Sequence, residues 1–255
     1  MNRPIFRRVI EIRTAGDDQN GAARVALEDD YHHFRVQLTF AQGKITHATG
    51  TAIRTPYTAC GGATAQLSQL KGMPLDEDCS AANQFTDQRM QCTHMLDEAG
   101  LGVACAARCI KGRRYDIAIP RHIDGATLAS LHRDGVPVLS WHIRDGFIAA
   151  QSPYLGVSIS RGFARWSADN LNQETREAAL VLRRCAMISL GRLRNLDTES
   201  HARPTGHCFA QQPGRAEQAL RIVGSTQDYT EHGAKLCAAD QSWLDELHRV
   251  EQSAK

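Results

Sequence analysis

Polar and apolar residues alternate through most of the first 55 positions, the pattern of half-buried strands. "RRVIEIR" alternates. "AARVALEDDYHHFRVQLTF" reads as two strands joined at Glu28-Asp29-Asp30, and "AQGK" turns the chain into "ITHATGTAIR". In "YHHFRVQLTF" the parity is explicit. His32, Phe34, Val36, Leu38 and Phe40 share one face, and Tyr31, His33, Arg35, Gln37 and Thr39 share the other. The apolar face needs cover, so His32 points toward the interior and His33 away from it.

The period then lengthens to that of a helix. Residues 62–71 form a predicted helix, stopped near Gly72 and Pro74. After the polar connector "PLDEDCSAANQFTDQRM", a second helix is predicted from about Cys92 to Ile110. Its core stripe is Cys92, Leu96, Ala99, Val103, Ala106 and Ile110. Gly100 and Gly102 either weaken this helix or allow close packing. A second β region follows in "RYDIAIP", "VPVLSWHI" and "FIAAQ", with "DGATLASLHRDG" between as a candidate short helix. "SPYLGVSISRGFARW" reads as a loop that covers a pocket.

"NQETREAALVLRRCAMISLGRLRNL" is the clearest helix. Ala178, Val181, Cys185, Ile188 and Arg192 are in register, Glu174 and Glu177 lie in its first turn, and Arg192 and Arg194 in its last. "GRAEQALRIV" and "AADQSWLDELHRVEQ" are also predicted helical. No internal repeat is visible in the sequence. The expected class is α+β: an antiparallel meander packed against helices, with a helical C-terminal part. No linker composition breaks the chain, so a single domain over 1–255 is expected, β-rich to about 150 and helical from about 165 to 252.

Composition narrows the function classes. The chain has 255 residues, 42% apolar and 23% charged, which is ordinary for a globular protein. Formal net charge is +2, and the basic residues come in small scattered groups, unlike the concentrated basic face of a nucleic-acid binder. No stretch approaches the roughly 20 apolar residues of a membrane span. The N-terminus lacks the apolar core of a signal peptide, so a cytoplasmic location with free thiols is expected. No CxxC pair, Walker A loop, GxGxxG or GxSxG occurs, which disfavours P-loop ATPases, dinucleotide-dependent oxidoreductases and α/β-hydrolases.

The residues that remain suggest a site. Cys60 precedes Gly61-Gly62 at a predicted helix start, where free N–H groups lower a thiol pKa; otherwise it is a small buried hydrophobe. His32 is a candidate general base, with Asp29 and Asp30 upstream to orient it, or else a satisfied core histidine. Arg54 is suited to bind an anionic group or to pair with Asp30. Cys92 and His94 open a helix, but two residues apart they lie about 200° around its axis. They converge on one ion only if Cys92 precedes the first turn. His32, Cys60 and His94 are therefore the candidate catalytic residues, and Arg54, Tyr57 and His33 the candidate substrate-binding ones. No cofactor is expected; the alternative is zinc held by Cys60, Cys92 and His94, with His32 or His33 as a fourth ligand. Cys105 and Cys109, four apart, are expected to be packing residues.

"DDYHHF", "RTPYTACGGA" and "CTHMLDEA" together resemble an uncharacterised bacterial family classed as a domain of unknown function. Its motifs are a His-His-Phe strand, an Arg-x-Pro-aromatic-Thr-x-Cys turn and a Cys-Thr-His helix start. "LRRCAMISLGR" and "RAEQALRIVGSTQDYT" look similar too, so the resemblance covers nearly the whole chain. Tyr57 stands where tryptophan is expected, and Gly61 where proline is. The resemblance implies a place in the breakdown of aromatic or other hydrophobic compounds. The expected activity is a cofactor-free acid–base lyase, for example one releasing formaldehyde from an aromatic substrate. The alternatives are a metal-dependent hydrolase or lyase and a non-catalytic ligand-binding protein. A small aromatic or anionic substrate is the expected partner, with no nucleic acid and no membrane; a homodimer is compatible with the sequence.

Overall fold

A computed structural model describes residues 4–149 and 152–253. The alternating segments become β1 (Ile5–Gly16), β2 (Gly21–Asp29), β3 (His33–Ala41) and β4 (Lys44–Arg54). The second β region supplies β5 (Gly112–Pro120), β6 (Ala126–Arg133), β7 (Val136–Arg144) and β8 (Phe147–Ile148). All lie in one 8-stranded sheet of order β4-β3-β2-β1-β5-β6-β7-β8, and every neighbouring pair is antiparallel. The sheet is thus two meanders joined edge to edge at β1 and β5.

Each meander is followed by its own helical cover. After the first come a 3-10 helix (Thr58–Leu70), α1 (Ala82–Phe85) and α2 (Thr93–Ala107). After the second come α3 (Phe163–Asn170) and α4 (Gln173–Ser189). α2 packs on β1, β2 and β3, and α4 packs on β5, β6 and β7. The architecture therefore repeats although the sequence shows no repeat. Burying one sheet face under one helix needs only period and polarity, not identical residues.

Register shows which face is the core. Ile10 pairs with Leu27 and Ile12 with Val25, while Leu27 and Val25 pair with Phe34 and Val36 on the next strand. These side chains belong to the main buried cluster with Leu67, Met95, Leu96 and Val103. The alternate residues face the other way. Val9 and Ala26 form a smaller cluster with Leu236, Cys237 and Leu244 under α5 (Gln241–Ser253). Both faces of the first meander are covered.

Several expectations are corrected. The predicted helix in "DGATLASLHRDG" is β6. Ala129 and Leu131 alternate inward, eight residues are short for a helix, and left-handed residues at Asp124-Gly125 and Asp134-Gly135 close tight turns on either side. "GRAEQALRIV" forms only a short 3-10 turn, Ala216–Gln218, because Leu220 and Arg221 pair as β-bridges with His201 and Tyr57. The helix predicted at 62–71 begins earlier and is of 3-10 type. Glu28 and Asp29 belong to β2, so the β2–β3 turn is only Asp30–His32. The long helix stops at Ser189, leaving Arg192 in a separate 3-10 turn (Leu190–Leu193) and Arg194 beyond it. "SPYLGVSISRGFARW" is loop only in part, since α3 begins at Phe163. α2 ends at Ala107, before the predicted Ile110, and Ala150 and Gln151 lie outside the described residues.

Gly100 and Gly102 are in α2 for close packing. A Cβ on Gly100 would sit 2.0 Å from the Cys79 carbonyl oxygen, and one on Gly102 3.0 Å from Val25 Cγ2. In an open helix Gly→Ala stabilises by about 1 kcal/mol. Here Gly100→Ala is expected to destabilise by roughly 1–3 kcal/mol, the usual cost of overpacking, read as a lower urea midpoint. A midpoint at or above wild type would show that the Cys79 segment gives way freely.

Candidate functional site

Arg8 on β1 pairs directly with Asp29 on β2, on the core face. Both are buried, 2% and 0% exposed, in a sheet face otherwise lined by apolar side chains. Arg8 donates from Nε (2.9 Å) and Nη2 to Asp29 Oδ2. Asp29 Oδ1 accepts the backbone N–H groups of Tyr31 and His32, each at 2.7 Å, and faces His32 Nδ1 at 3.1 Å. Burial opposes a charge on Asp29, but Arg8 and His32 hold its carboxyl well below the usual carboxylate range. An ionised Asp29 takes the Nδ1 proton of a neutral His32 as its hydrogen bond, which leaves Nε2 as the free acceptor.

The helix adds a second imidazole. Cys92 is the N-cap of α2, so His94 lies in the first turn and reaches the sheet. Its ring lies 4.0 Å from that of His32, tilted by 31°. His94 Nε2 is buried without a hydrogen-bond partner among the described residues. Burial pushes the His94 pKa well below its ordinary value, with His32 and Arg8 adding to the effect, so this ring is neutral. One turn further on the same face is Glu98, fully buried, with both carboxyl oxygens unpartnered. Burial pushes its pKa well up, against the pull of Arg8, which favours the protonated carboxyl. Asp30, beside the dyad, is pushed up to about 7 by burial in spite of its 2.7 Å bond from Arg192.

A cavity of about 460 Å³ adjoins this cluster through Arg8, in the cleft between α2 and α4. That volume suits a small molecule. Ile10 and Leu27 of the sheet, Leu101 of α2, and Leu180 and Val181 of α4 supply its apolar lining. Arg176, Arg183 and Arg184 of α4 add charge, with Asp97 opposite. Arg184 is taken by Asp97, at 2.7 and 3.2 Å.

The other predicted residues lie elsewhere. Arg54 is not free for substrate. It donates to the carbonyls of Asp29 (2.6 Å), Asp30 (3.0 Å) and Ser225 (3.2 Å), and so clamps the turn that carries His32. His33 is buried on the opposite sheet face, with Nε2 2.9 Å from Asp240 and Nδ1 3.6 Å from Glu28. Tyr57 donates its hydroxyl to Glu199 at 3.1 Å, and Cys60 packs in the same small cluster, with Cys208. The Cys60 thiol is not activated by its helix start. Its N–H is spent on Tyr57 O at 3.1 Å, and burial, then Cys208, pushes it up to about 12. The room at Gly62 goes to Phe209, and a Cβ on Gly61 would meet nothing within 4 Å.

Cys60, Cys92 and His94 do not share a compact ligand group among the described residues; Asp29, His32 and His94 do, with one donor atom each within 4.8 Å of one another. Those three fit a metal poorly. Asp29 is already engaged by Arg8, two amides and His32, so its oxygens are not free for an ion. The signals for Arg8, Asp29 and Glu98 were present but weak. Arg8 and Asp29 are charges at core-parity positions of their strands, and Glu98 is an acid four residues after His94 on an otherwise apolar helix face.

Residues 9–107 match the family described as "Protein of unknown function (DUF2889)". That stretch runs from β1 through α2 and carries Asp29, His32, Arg54, Cys60, Cys92, His94 and Glu98; Arg8 and the α4 wall of the cavity lie outside it. Neither the curated proteins nor the solved structures give a match to the chain. No helix among the described residues is long and apolar enough to cross a membrane.

The buried acids give opposite pH dependences. Glu98, raised, contributes stability that is complete below the unfolded range near ~4.3 and lost as pH rises. Asp29, lowered, contributes stability present above ~3.9 and lost on acidification, and neutral His94 loses its share below ~6.5. Glu98→Gln is therefore expected to gain stability over wild type steadily between pH 5 and pH 8, as measured by urea unfolding. A difference that is flat across that range would mean that Glu98 is ionised and paired.

Proposed function

We propose that this protein is a small-molecule enzyme working by acid–base chemistry without a bound cofactor, a lyase that cleaves a carbon–carbon bond in a hydrophobic, aromatic substrate. The observation that carries this reading is the Asp29–His32 pair. Asp29 is fixed by Arg8 and two backbone amides, and it orients His32 with Nε2 as the proton acceptor. A carboxylate so placed also stabilises the imidazolium that forms, the logic by which Asp–His pairs act as bases elsewhere.

The step balances without an oxidant or reductant. His32 Nε2 takes the proton of a substrate hydroxyl, and the oxygen electron pair becomes a C=O bond. The adjacent C–C bond breaks, and its electron pair stays on the remaining substrate carbon, next to the aromatic system. That carbon takes the proton back from the His32 imidazolium, which restores the base. Where the departing carbon is a CH2OH group, the product is formaldehyde. The apolar floor of Ile10, Leu27, Leu101 and Leu180 supports an aromatic body.

The test is aldehyde release from a panel of aryl-substituted primary alcohols, together with elemental analysis of the purified protein. His32→Asn is expected to lower turnover by about 10²–10⁴-fold, the usual share of a general base, in a protein that still folds. Wild-type turnover in His32→Asn would remove this mechanism. A stoichiometric metal that is essential for turnover would replace it with metal-centred chemistry.

A further inference from the structure

The α4 wall of the cavity carries charge that the chain itself does not neutralise. Arg176 gives Nη1 to Asp78 (2.6 Å) and Nη2 to Ser80 Oγ (2.9 Å), which leaves its Nε buried without an acceptor. Arg183 meets only carbonyls: Nε donates to Ile159 O at 2.6 Å and Nη2 to Ser160 O at 2.8 Å. Among the described residues no carboxylate pairs with it. Arg184 beside it is already matched by Asp97. Arg176, Leu180 and Arg183 recur at helical spacing, so an apolar side chain separates two guanidinium groups along one wall.

A half-buried arginine that lines a partly apolar cavity without an acid partner is costly to keep unless a ligand brings the missing charge. We propose that this cavity binds an aromatic carboxylic acid, with its carboxylate on Arg183 and its rings on Leu180 and the sheet floor. This names the substrate class of the site and rests on the preceding reading only for which end of the ligand lies toward Arg8 and Asp29. A guanidinium forms two parallel bonds to a carboxylate and none of equal strength to a primary amide, so the acid and its amide are the discriminating pair.

Calorimetric titration of the full chain with biphenyl-4-carboxylate and biphenyl-4-carboxamide tests this directly, in wild type and in the His32→Asn background. The acid is expected to bind one per chain and at least about tenfold tighter than the amide, with the preference shrinking as salt rises. Arg183→Met is expected to abolish the preference, and Arg183→Lys, which keeps the charge, to restore part of it. Equal binding of acid and amide by wild type overturns the proposal without recourse to any variant, as does absence of binding by both. An unchanged preference in a folded Arg183→Met also overturns it. The two readings fail separately. Acid binding without aldehyde release from any alcohol leaves this site standing and removes the lyase, whereas turnover of neutral alcohols with no acid preference does the reverse.

Discussion

The Arg8–Asp29 pair is the constraint on which the site depends. Two charges facing each other across the central strands, inside an apolar layer, survive only because each satisfies the other. Removing either one leaves a buried unpaired ion, a loss of about 3–5 kcal/mol. The pair also sets geometry. Because Arg8 occupies one carboxylate oxygen, the other is left to hold the Tyr31 and His32 amides and the His32 ring. Arg54 holds the same turn from its carbonyl side. His32 is thus placed by hydrogen bonds on both edges of a three-residue turn.

The cavity exists because the two meanders meet at β1 and β5. That pairing sets α2 and α4 side by side over the middle of one sheet, with a cleft between them whose floor is β1 and β2. Glu177 ties the halves together: it accepts from Arg113 at 2.8 Å and from Tyr115 on β5, and from Arg108 at the end of α2. Several buried polar atoms remain without a partner among the described residues, His94 Nε2, both Glu98 carboxyl oxygens and Arg176 Nε among them.

Two adjacent histidines end in unrelated surroundings. His32 faces α2 and the imidazole of His94. His33 faces the C-terminal segment, between Glu28 and Asp240, with Arg35 completing the set at 2.6 Å from Asp240. Strand parity separates them, and the segment leading into α5 turns the outward face into a second interior.

The sequence by itself determined the strands of the first meander, the long helix α4, the α+β class and the opposite facing of His32 and His33. Each follows from local periodicity, which the chain carries residue by residue. It also pointed to His32 and His94, through parity on a strand and position at a helix start. Tertiary structure decided the rest. β6 is a strand because its neighbours complete it, and the hydrophobic run at 216–223 is not a helix because its backbone pairs elsewhere. Cys60, Arg54 and His33 carried suggestive chemistry, but burial and long-range partners consumed it. Arg8, Glu98 and the α4 arginines gained a functional reading only from what faces them. A charge inside a protein is defined by its desolvation and its partner, and neither is written at the position of the residue itself.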